Sequence, residues 1–355
     1  MTPSPHPFAT AVVIGRWQIF HNGHLRLLRA ALERCQDVIV VVGSAWRARD
    51  VSNPFSYAER AAMVRAALSD DEAQRVRFLP IRDYADDDRW VRVLQEAVAR
   101  MAPGSAVDVV GFEKDASSYY LRKLAPWTPV RVAEKFSGLD ATPLRAVYFD
   151  SADLGSALAV LAPHVPRGVL AYLHAWGQLP VRQECARQRQ ALRAYRKRWT
   201  ADFSVAADAV VRVTTAEGVQ VLLVRRKGPI GAGLWALPGG FVNKDELTLD
   251  AALRELKEET GVDIWKPQAL ECLRERAVFD DPRRSARGRI ISHAYLFDLG
   301  SPRQLPEVRA GDDAAEARWV PVSGLPDLLE QLFEDHALIL ERFLGALAEP
   351  AAALA

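Results

Sequence analysis

The 355-residue sequence is short of every feature that would tie it to a membrane, a polyanion or an oxidising compartment. No uninterrupted apolar stretch reaches the roughly 18 residues that a membrane-spanning helix requires. Residues 1–10 hold prolines but no basic segment leading into an apolar run, so a cytoplasmic protein without a membrane partner is expected. The formal charge is only +1, with 46 Lys and Arg against 45 Asp and Glu. No global field would therefore draw the chain to nucleic acid, although a local patch remains open. There are three cysteines, Cys35, Cys185 and Cys272, and none stands in a CxxC spacing. That argues against a disulfide framework or a thiolate zinc site and leaves buried reduced thiols as the expectation. Internal repeats are absent, and the alanine-rich residues 346–355 are expected to fray.

What is present is the composition of a packed globular protein, 49% hydrophobic and 26% charged. The length exceeds what one hydrophobic core usually serves, so two domains are expected. In the first half, apolar runs at residues 11–15, 37–43, 76–81 and 107–112 alternate with segments of helical spacing such as Val91, Leu94, Val98 and Met101. Strands apolar on both faces and separated by helices predict a doubly wound, Rossmann-like parallel sheet over residues 1–180. Residues 181–200 carry seven basic residues and one acid without glycine or proline, and read as a linker helix whose basic face is solvated or holds phosphate. Residues 201–355 change character. Strands near 206–214, 219–225 and 290–297, a helix over 248–260 and a single closing helix over 323–346 predict a mixed sheet between helices.

Two constellations carry chemistry. The first strand runs directly into GRWQIFHNGH, so Gly15, Arg16, His21, Gly23 and His24 fall at the C-terminal end of a parallel strand and the start of a helix. Open α/β sheets bind ligands at that crevice, and free N–H groups at a helix N-terminus favour phosphate. Histidines at i and i+3 can face the same way and stabilise charge moving onto a leaving pyrophosphate. The stretch resembles the GRF/W-Q-x-x-H-x-G-H signature of nucleotidylyltransferases, especially nicotinamide mononucleotide (NMN) adenylyltransferases. The resemblance implies attack of the NMN phosphate on the α-phosphorus of ATP, with Mg²⁺ assistance and no covalent intermediate. By that match His21, His24 and Arg16 serve the triphosphate. Residues 139–145, LDATPLR, resemble the family's I-S-x-T-x-x-R element, with Thr142 and Arg145 in register and Asp140 where serine is usual. Residues 43–60, 81–90 and 111–121 also look like the NAD-forming branch, which implies roles at the nucleotide for Asn53, Asp83 and Trp90, the last by stacking.

The second constellation, residues 240–262, fits G-x5-E-x7-R-E-U-x-E-E-x-G-U at Gly240, Glu246, Arg254, Glu255, Leu256, Glu258, Glu259, Gly261 and Val262. On a helix, Glu255, Glu258 and Glu259 share one face, and their mutual repulsion calls for a hard divalent cation, Mg²⁺ or Mn²⁺. Arg254 is placed to hold a carboxylate, and Gly261 to end the helix in a left-handed conformation. This is the pattern of Nudix hydrolases, and the resemblance implies water attack on a pyrophosphate, with Glu259, Glu307 or Glu316 as the general base. Residues 278–295 resemble ADP-ribose pyrophosphatases, which implies ADP-ribose as substrate and binding roles among Arg283, Arg284, Arg287 and Arg289.

Together the halves resemble the bifunctional NMN adenylyltransferase/ADP-ribose pyrophosphatase family. Its implied partners are small molecules, ATP, NMN and ADP-ribose, and a homo-oligomer is left open. A different mononucleotide acceptor or Nudix substrate, or a Nudix-based sensor of NAD metabolites that regulates transcription, is the alternative.

Overall fold

The computed structural model describes residues 9–111, 123–132, 140–198, 202–311, 313–345 and 347. The chain forms two compact units, Met1–Ala186 and Arg187–Ala355. No helix among the described residues is long and apolar enough to cross a membrane.

The first unit is built on β1 (Thr10–Gly15), β2 (Asp37–Val42), β3 (Val76–Pro80), β4 (Val107–Gly111) and β5 (Thr128–Arg131). All pairs are parallel, in the order β3-β2-β1-β4-β5. The direction of winding reverses between β1 and β4, which opens a crevice at the C-terminal end of β1. Successive valines divide between two faces. Val13, Val38, Val40 and Val42 pack with α1 (Asn22–Arg34), α2 (Tyr57–Arg65), α5 (Ala141–Asp150) and α7 (Arg167–Trp176). Val12, Ile39 and Val41 pack with Leu94 and Val98 of α4 (Asp87–Met101). Both faces are therefore covered, as the continuous apolar runs predict for a parallel sheet, and each fully buried aliphatic side chain contributes about 1.5–3 kcal/mol. Two shorter helices, α3 (Asp70–Gln74) and α6 (Leu154–Leu161), complete the unit.

The basic segment is helical, α8 (Pro180–Arg198), and the division between the units falls inside it, with Cys185 in the first unit's core. All three cysteines are buried and free.

The second unit holds β6 (Ser204–Thr215), β7 (Gly218–Arg226), β8 (Trp235–Ala236), β9 (Gly239–Phe241), β10 (Leu273–Phe279), β11 (Ile290–Asp298) and β12 (Ala314–Pro321). The main order is β10-β11-β6-β7-β12, with β8 on β7 and β9 on β6. Only β6–β11 is parallel, so the sheet is mixed. Helix α9 (Thr248–Thr260) buries Ala251, Ala252 and Leu256 against Ala207, Ala209, Leu222 and Phe297. It is followed by α10 (Lys266–Cys272). The expected single closing helix is two pieces: a 3-10 helix, Val322–Gln331, and α11 (His336–Leu344). Pro326 lies within the first piece, where it cannot donate to an α-helical ladder, and Glu334 between the pieces has φ 45°.

Candidate functional site

In the first unit, β1 delivers the chain to a sharp bend. Trp17 adopts φ 55° and is buried, and its indole N–H donates to the Val41 carbonyl at 2.9 Å. Gln18 clamps the Phe55 backbone, donating to its carbonyl at 3.0 Å and accepting from its N–H at 3.1 Å. This fixes the entry to α1, whose N-cap is His21. The His21 and His24 rings stack with centroids 3.6 Å apart, and Trp17 meets His24 edge-on at 4.9 Å. The backbone N–H of His21 donates to His24 Nδ1 at 3.4 Å, which puts the proton of the neutral His24 ring on Nε2. Gly23 is buried, and the Arg16 side chain is exposed at the rim.

The other first-domain candidates stand in different surroundings. Arg145 is 6% exposed and donates to the Gln18 carbonyl and, at 3.1 Å, to Thr142 Oγ1. Arg145 thus joins this element to the His-containing bend at the Gln18 carbonyl, with Thr142 held on the same guanidinium. Asp140, standing where serine was expected, is the N-cap of α5 and accepts from the Thr142 N–H at 2.7 Å. Asn53 is 4% exposed, and its Oδ1 has no hydrogen-bond partner among the described residues, an orphan acceptor of the kind a ligand satisfies. Asp83 accepts from Ser44 Oγ at 2.9 Å and lies 3.5 Å from Arg47. Trp90 sits in the first turn of α4, half-buried against Leu94's cluster. Of residues 111–121, all but Gly111 lie outside the described residues, as do 133–139.

One residue at this crevice was given no role from sequence. Arg60, 1% exposed, donates to the carbonyls of Arg16 at 3.0 Å, Gly43 at 2.6 Å, Ser44 at 3.1 Å and Ser56 at 3.2 Å. It ties the ends of β1 and β2 to α2, and a fully buried arginine needs such acceptors for its donors. The available signal was an arginine on a helix whose neighbours, Ala61, Met63 and Val64, are apolar.

In the second unit the spaced motif of residues 240–262 becomes a hub on Arg254. Its guanidinium holds Glu246 through two bonds, 2.8 and 3.0 Å, donates to Glu255 at 2.6 Å and Glu258 at 2.9 Å, and reaches the Phe241 carbonyl at 3.1 Å. Arg254 beside it holds the Glu246 carboxyl down at about 2. Gly240 passes so close that an added methyl group would lie 2.5 Å from the Glu255 carboxyl carbon and would displace that carboxylate from its place beside Arg254. Gly261 closes α9 with φ 73°.

Glu259 is 6% exposed and accepts from the Gly239 N–H at 3.0 Å. Burial, reinforced by the charge of Glu255, pushes its carboxyl up to about 8 despite that bond. As the side chains stand, no three His, Cys, Asp or Glu groups converge on one point among the described residues, because Glu255 and Glu258 both turn to Arg254. The donor set nevertheless fits a hard divalent cation: three carboxylates within five residues of one helix, one of them buried and held only by a backbone N–H, beside the two glycines of β9.

The remaining candidates fall in different surroundings. Glu307 is exposed and paired with Arg309 at 2.8 Å, and Glu316 faces Arg225 at 3.8 Å. Arg284 is turned inward, in a bidentate buried pair with Asp335, both bonds 2.8 Å. Arg287 pairs with Glu334 at 2.9 Å and lies 5.5 Å over the Phe241 ring. Arg283 is exposed beside Asp281, and Arg289 donates to the Asp280 carbonyl. Behind the glycine loop, buried Asp208 is held by Ser292, and His336 Nδ1 accepts from the Leu237 N–H at 2.9 Å. Neither had a sequence signal, since each acts between segments far apart in the chain.

Comparison with known proteins agrees with this division. Residues 12–99 match the cytidylyltransferase-like family and residues 203–343 the NUDIX domain family. The chain is 34% identical over 169 residues to a nicotinamide/nicotinic acid mononucleotide adenylyltransferase from Acinetobacter baylyi, covering 47% of this chain and 86% of that protein. It is 35% identical over 136 residues to an ADP-ribose pyrophosphatase from Methanocaldococcus jannaschii, covering 38% of this chain and 72% of that protein. A crystal structure of a bifunctional NMN adenylyltransferase/ADP ribose pyrophosphatase from Francisella tularensis, complexed with AMP and Mn ion, superposes with a TM-score of 0.83 at 30% identity, covering 95% of this chain and 98% of that one. With both half-domains matched by separate relatives and the whole chain by a single two-domain structure, this protein belongs to the bifunctional NMN adenylyltransferase/ADP-ribose pyrophosphatase family.

Proposed function

We propose that the first domain (1–180) makes NAD from NMN and ATP, and that the last (201–355), beyond the helical segment 181–200, hydrolyses ADP-ribose. The observation that carries this reading is the presence in one chain of two separate phosphate chemistries: stacked imidazoles at a helix N-terminus and an arginine-clamped carboxylate cluster beneath a glycine loop. Both reactions use cytoplasmic small molecules, and neither needs nucleic acid or a membrane.

In the first reaction an NMN phosphate oxygen bonds to the α-phosphorus of ATP as the bond to the β-phosphate bridging oxygen breaks, releasing pyrophosphate. His21 and His24 hold the departing phosphates, with the Nε2 proton of His24 aimed at phosphoryl oxygen, and Arg16, Thr142 and Arg145 add donors and positive charge. Gly23 lets the phosphates approach the backbone closely, and Gly15 leaves room for the Trp17 ring that shapes the bend. Asn53 and Asp83 bind the nucleotide, and Trp90 stacks on its ring. Nicotinic acid mononucleotide is a second acceptor to test, given the dual name of the Acinetobacter relative.

In the second reaction water adds to one phosphorus of the diphosphate and the bridging P–O bond breaks, giving AMP and ribose 5-phosphate. Glu255, Glu258 and Glu259 would hold Mg²⁺ or Mn²⁺, which withdraws charge from phosphoryl oxygen and makes water more acidic. Arg254 and Glu246 orient the acidic face, and Gly240 and Gly261 shape the loop and the helix end around it. Arg283, Arg287 and Arg289 bind the phosphates or ribose of ADP-ribose. The base that takes the water proton is Glu259, Glu307 or Glu316.

Chromatographic product analysis tests both halves. His24→Ala should abolish NAD formation and spare ADP-ribose cleavage, and Glu258→Gln should do the reverse. Intact folded protein that yields no NAD from NMN and ATP would refute the first half, and no AMP from ADP-ribose with Mg²⁺ or Mn²⁺ the second.

A further inference from the structure

The basic character of α8 is not used by either reaction, yet its last turn is built into the second unit. Arg196 donates to the Ala286 carbonyl through Nε at 2.9 Å and through Nη2. Tyr195 and Arg196 thereby meet the loop of Arg287 and Arg289 and the start of β6 at Asp202 and Ser204, enclosing a cleft of about 240 Å³. Whole-ligand pockets are commonly about 300–1,000 Å³, so this one suits a single group or one end of a larger molecule.

The charge of the cleft is positive. Arg287 is neutralised by Glu334, and Asp202 supplies one carboxylate. Arg196 and Arg289 instead give their hydrogen bonds to backbone carbonyls of Ala286 and Asp280. Those acceptors fix the guanidinium planes without cancelling their charge, which is the preparation that planar recognition of phosphate needs. Two contacts link one wall of the cleft to the arginine that holds the carboxylates. Arg287, which lines the cleft, lies 5.5 Å over the ring of Phe241, and the Phe241 carbonyl is held by Arg254.

We infer that this cleft is a phosphate subsite of the second domain, made jointly by the end of α8 and the loop before β11, and that it takes a phosphoryl group of the nucleotide handled there. The assignment of that nucleotide rests on the hydrolase reading above; the cleft's affinity for phosphate does not. Part of α8 is then a wall of the binding site rather than a connector.

The test uses the full chain and its Arg196→Ala and Arg196→Lys variants. Calorimetric titration with inorganic phosphate reads the cleft directly, and steady-state hydrolysis of ADP-ribose reads its use. Arg196→Ala should weaken phosphate binding at least fivefold and raise KM for ADP-ribose about tenfold, with kcat within twofold of the parent, because the lost contact is made equally in ground and transition states. Arg196→Lys should recover part of both effects, and NAD formation in the same preparations should be unchanged, which reports intact folding. Unchanged phosphate affinity and unchanged KM in Arg196→Ala would overturn the inference. Weakened phosphate binding with unchanged KM would overturn the link to substrate and make free phosphate the ligand. A parent protein that binds phosphate through Arg196 but cleaves no ADP-ribose would refute the hydrolase reading while upholding the cleft.

Discussion

His336 gives the sharpest pH prediction. It is buried at the start of α11, with Asp335, Glu334, Arg284 and Arg226 as the charged groups around it, and burial pulls its imidazole down to about 4 from an ordinary 6.5. Its neutral Nδ1 accepts the Leu237 N–H, two residues ahead of the Gly239 N–H that holds Glu259. In the unfolded or locally opened state the ring takes up a proton below about pH 6.5, whereas in the closed state it does so only near pH 4. Stability is therefore complete above 6.5 and is lost as the pH falls from 6.5 through 4. At pH 4.5 the difference amounts to about 2.5 kcal/mol, using about 1.36 kcal/mol per pH unit, which is roughly 70-fold in the opening equilibrium. Hydrogen exchange of the full chain, followed in a peptide covering residues 235–241 and corrected for the intrinsic pH dependence of exchange, measures it. Protection should fall steeply between pH 6.5 and 4.5 in the parent. In His336→Asn, whose side-chain oxygen can still accept the Leu237 N–H, the decline should be much shallower. Equal slopes in the two proteins would refute the argument.

Three further outcomes follow from the geometry. Gly240→Ala forces a methyl group against the Glu255 carboxylate, so ADP-ribose cleavage should drop by at least 100-fold with NAD formation intact, as parallel assays would show. Arg60→Met leaves four buried carbonyls without their donor; the first domain should lose about 2–4 kcal/mol in denaturant titration, and ATP and NMN should bind more weakly, with Arg60→Lys intermediate. Arg284→Met strands the Asp335 carboxylate and should cost the second domain about 3–5 kcal/mol by the same titration, whereas the double variant Arg284→Met/Asp335→Leu should regain much of that loss.

The readable parts of this protein are those whose chemistry is local in sequence. Residues 240–262 declared their helix, its acidic face and its left-handed end at Gly261, because α-helical periodicity and a C-terminal glycine are decided within a few residues. The β1–α1 bend was equally legible: strand, glycine, histidines and helix follow one another without a long-range partner. Strands β10 and β12 were not foreseen, since β10 alternates half-buried and exposed residues at an edge and β12 mixes charge with apolar residues, leaving neither with the continuous apolar run of β2. The closing helix divides where Glu334 has φ 45° and where Glu334 and Asp335 pair with Arg287 and Arg284, partners about 50 residues away that the local helical pattern does not reveal.

By itself, then, the sequence determined the two-part architecture and the kinds of group each site presents: imidazoles after a parallel strand and carboxylates on one helical face. Tertiary structure alone decided which of those groups are held and by what. Arg60 gathers carbonyls just past the ends of β1 and β2 and one ahead of α2, Arg254 turns to two of the three glutamates of the acidic cluster, Arg284 leaves the arginine cluster for a buried aspartate, and Arg196 of the basic helix comes to line a cleft. The reason is physical: a long cationic side chain takes whichever acceptors folding brings within about 3 Å, and its own sequence neighbours do not specify them.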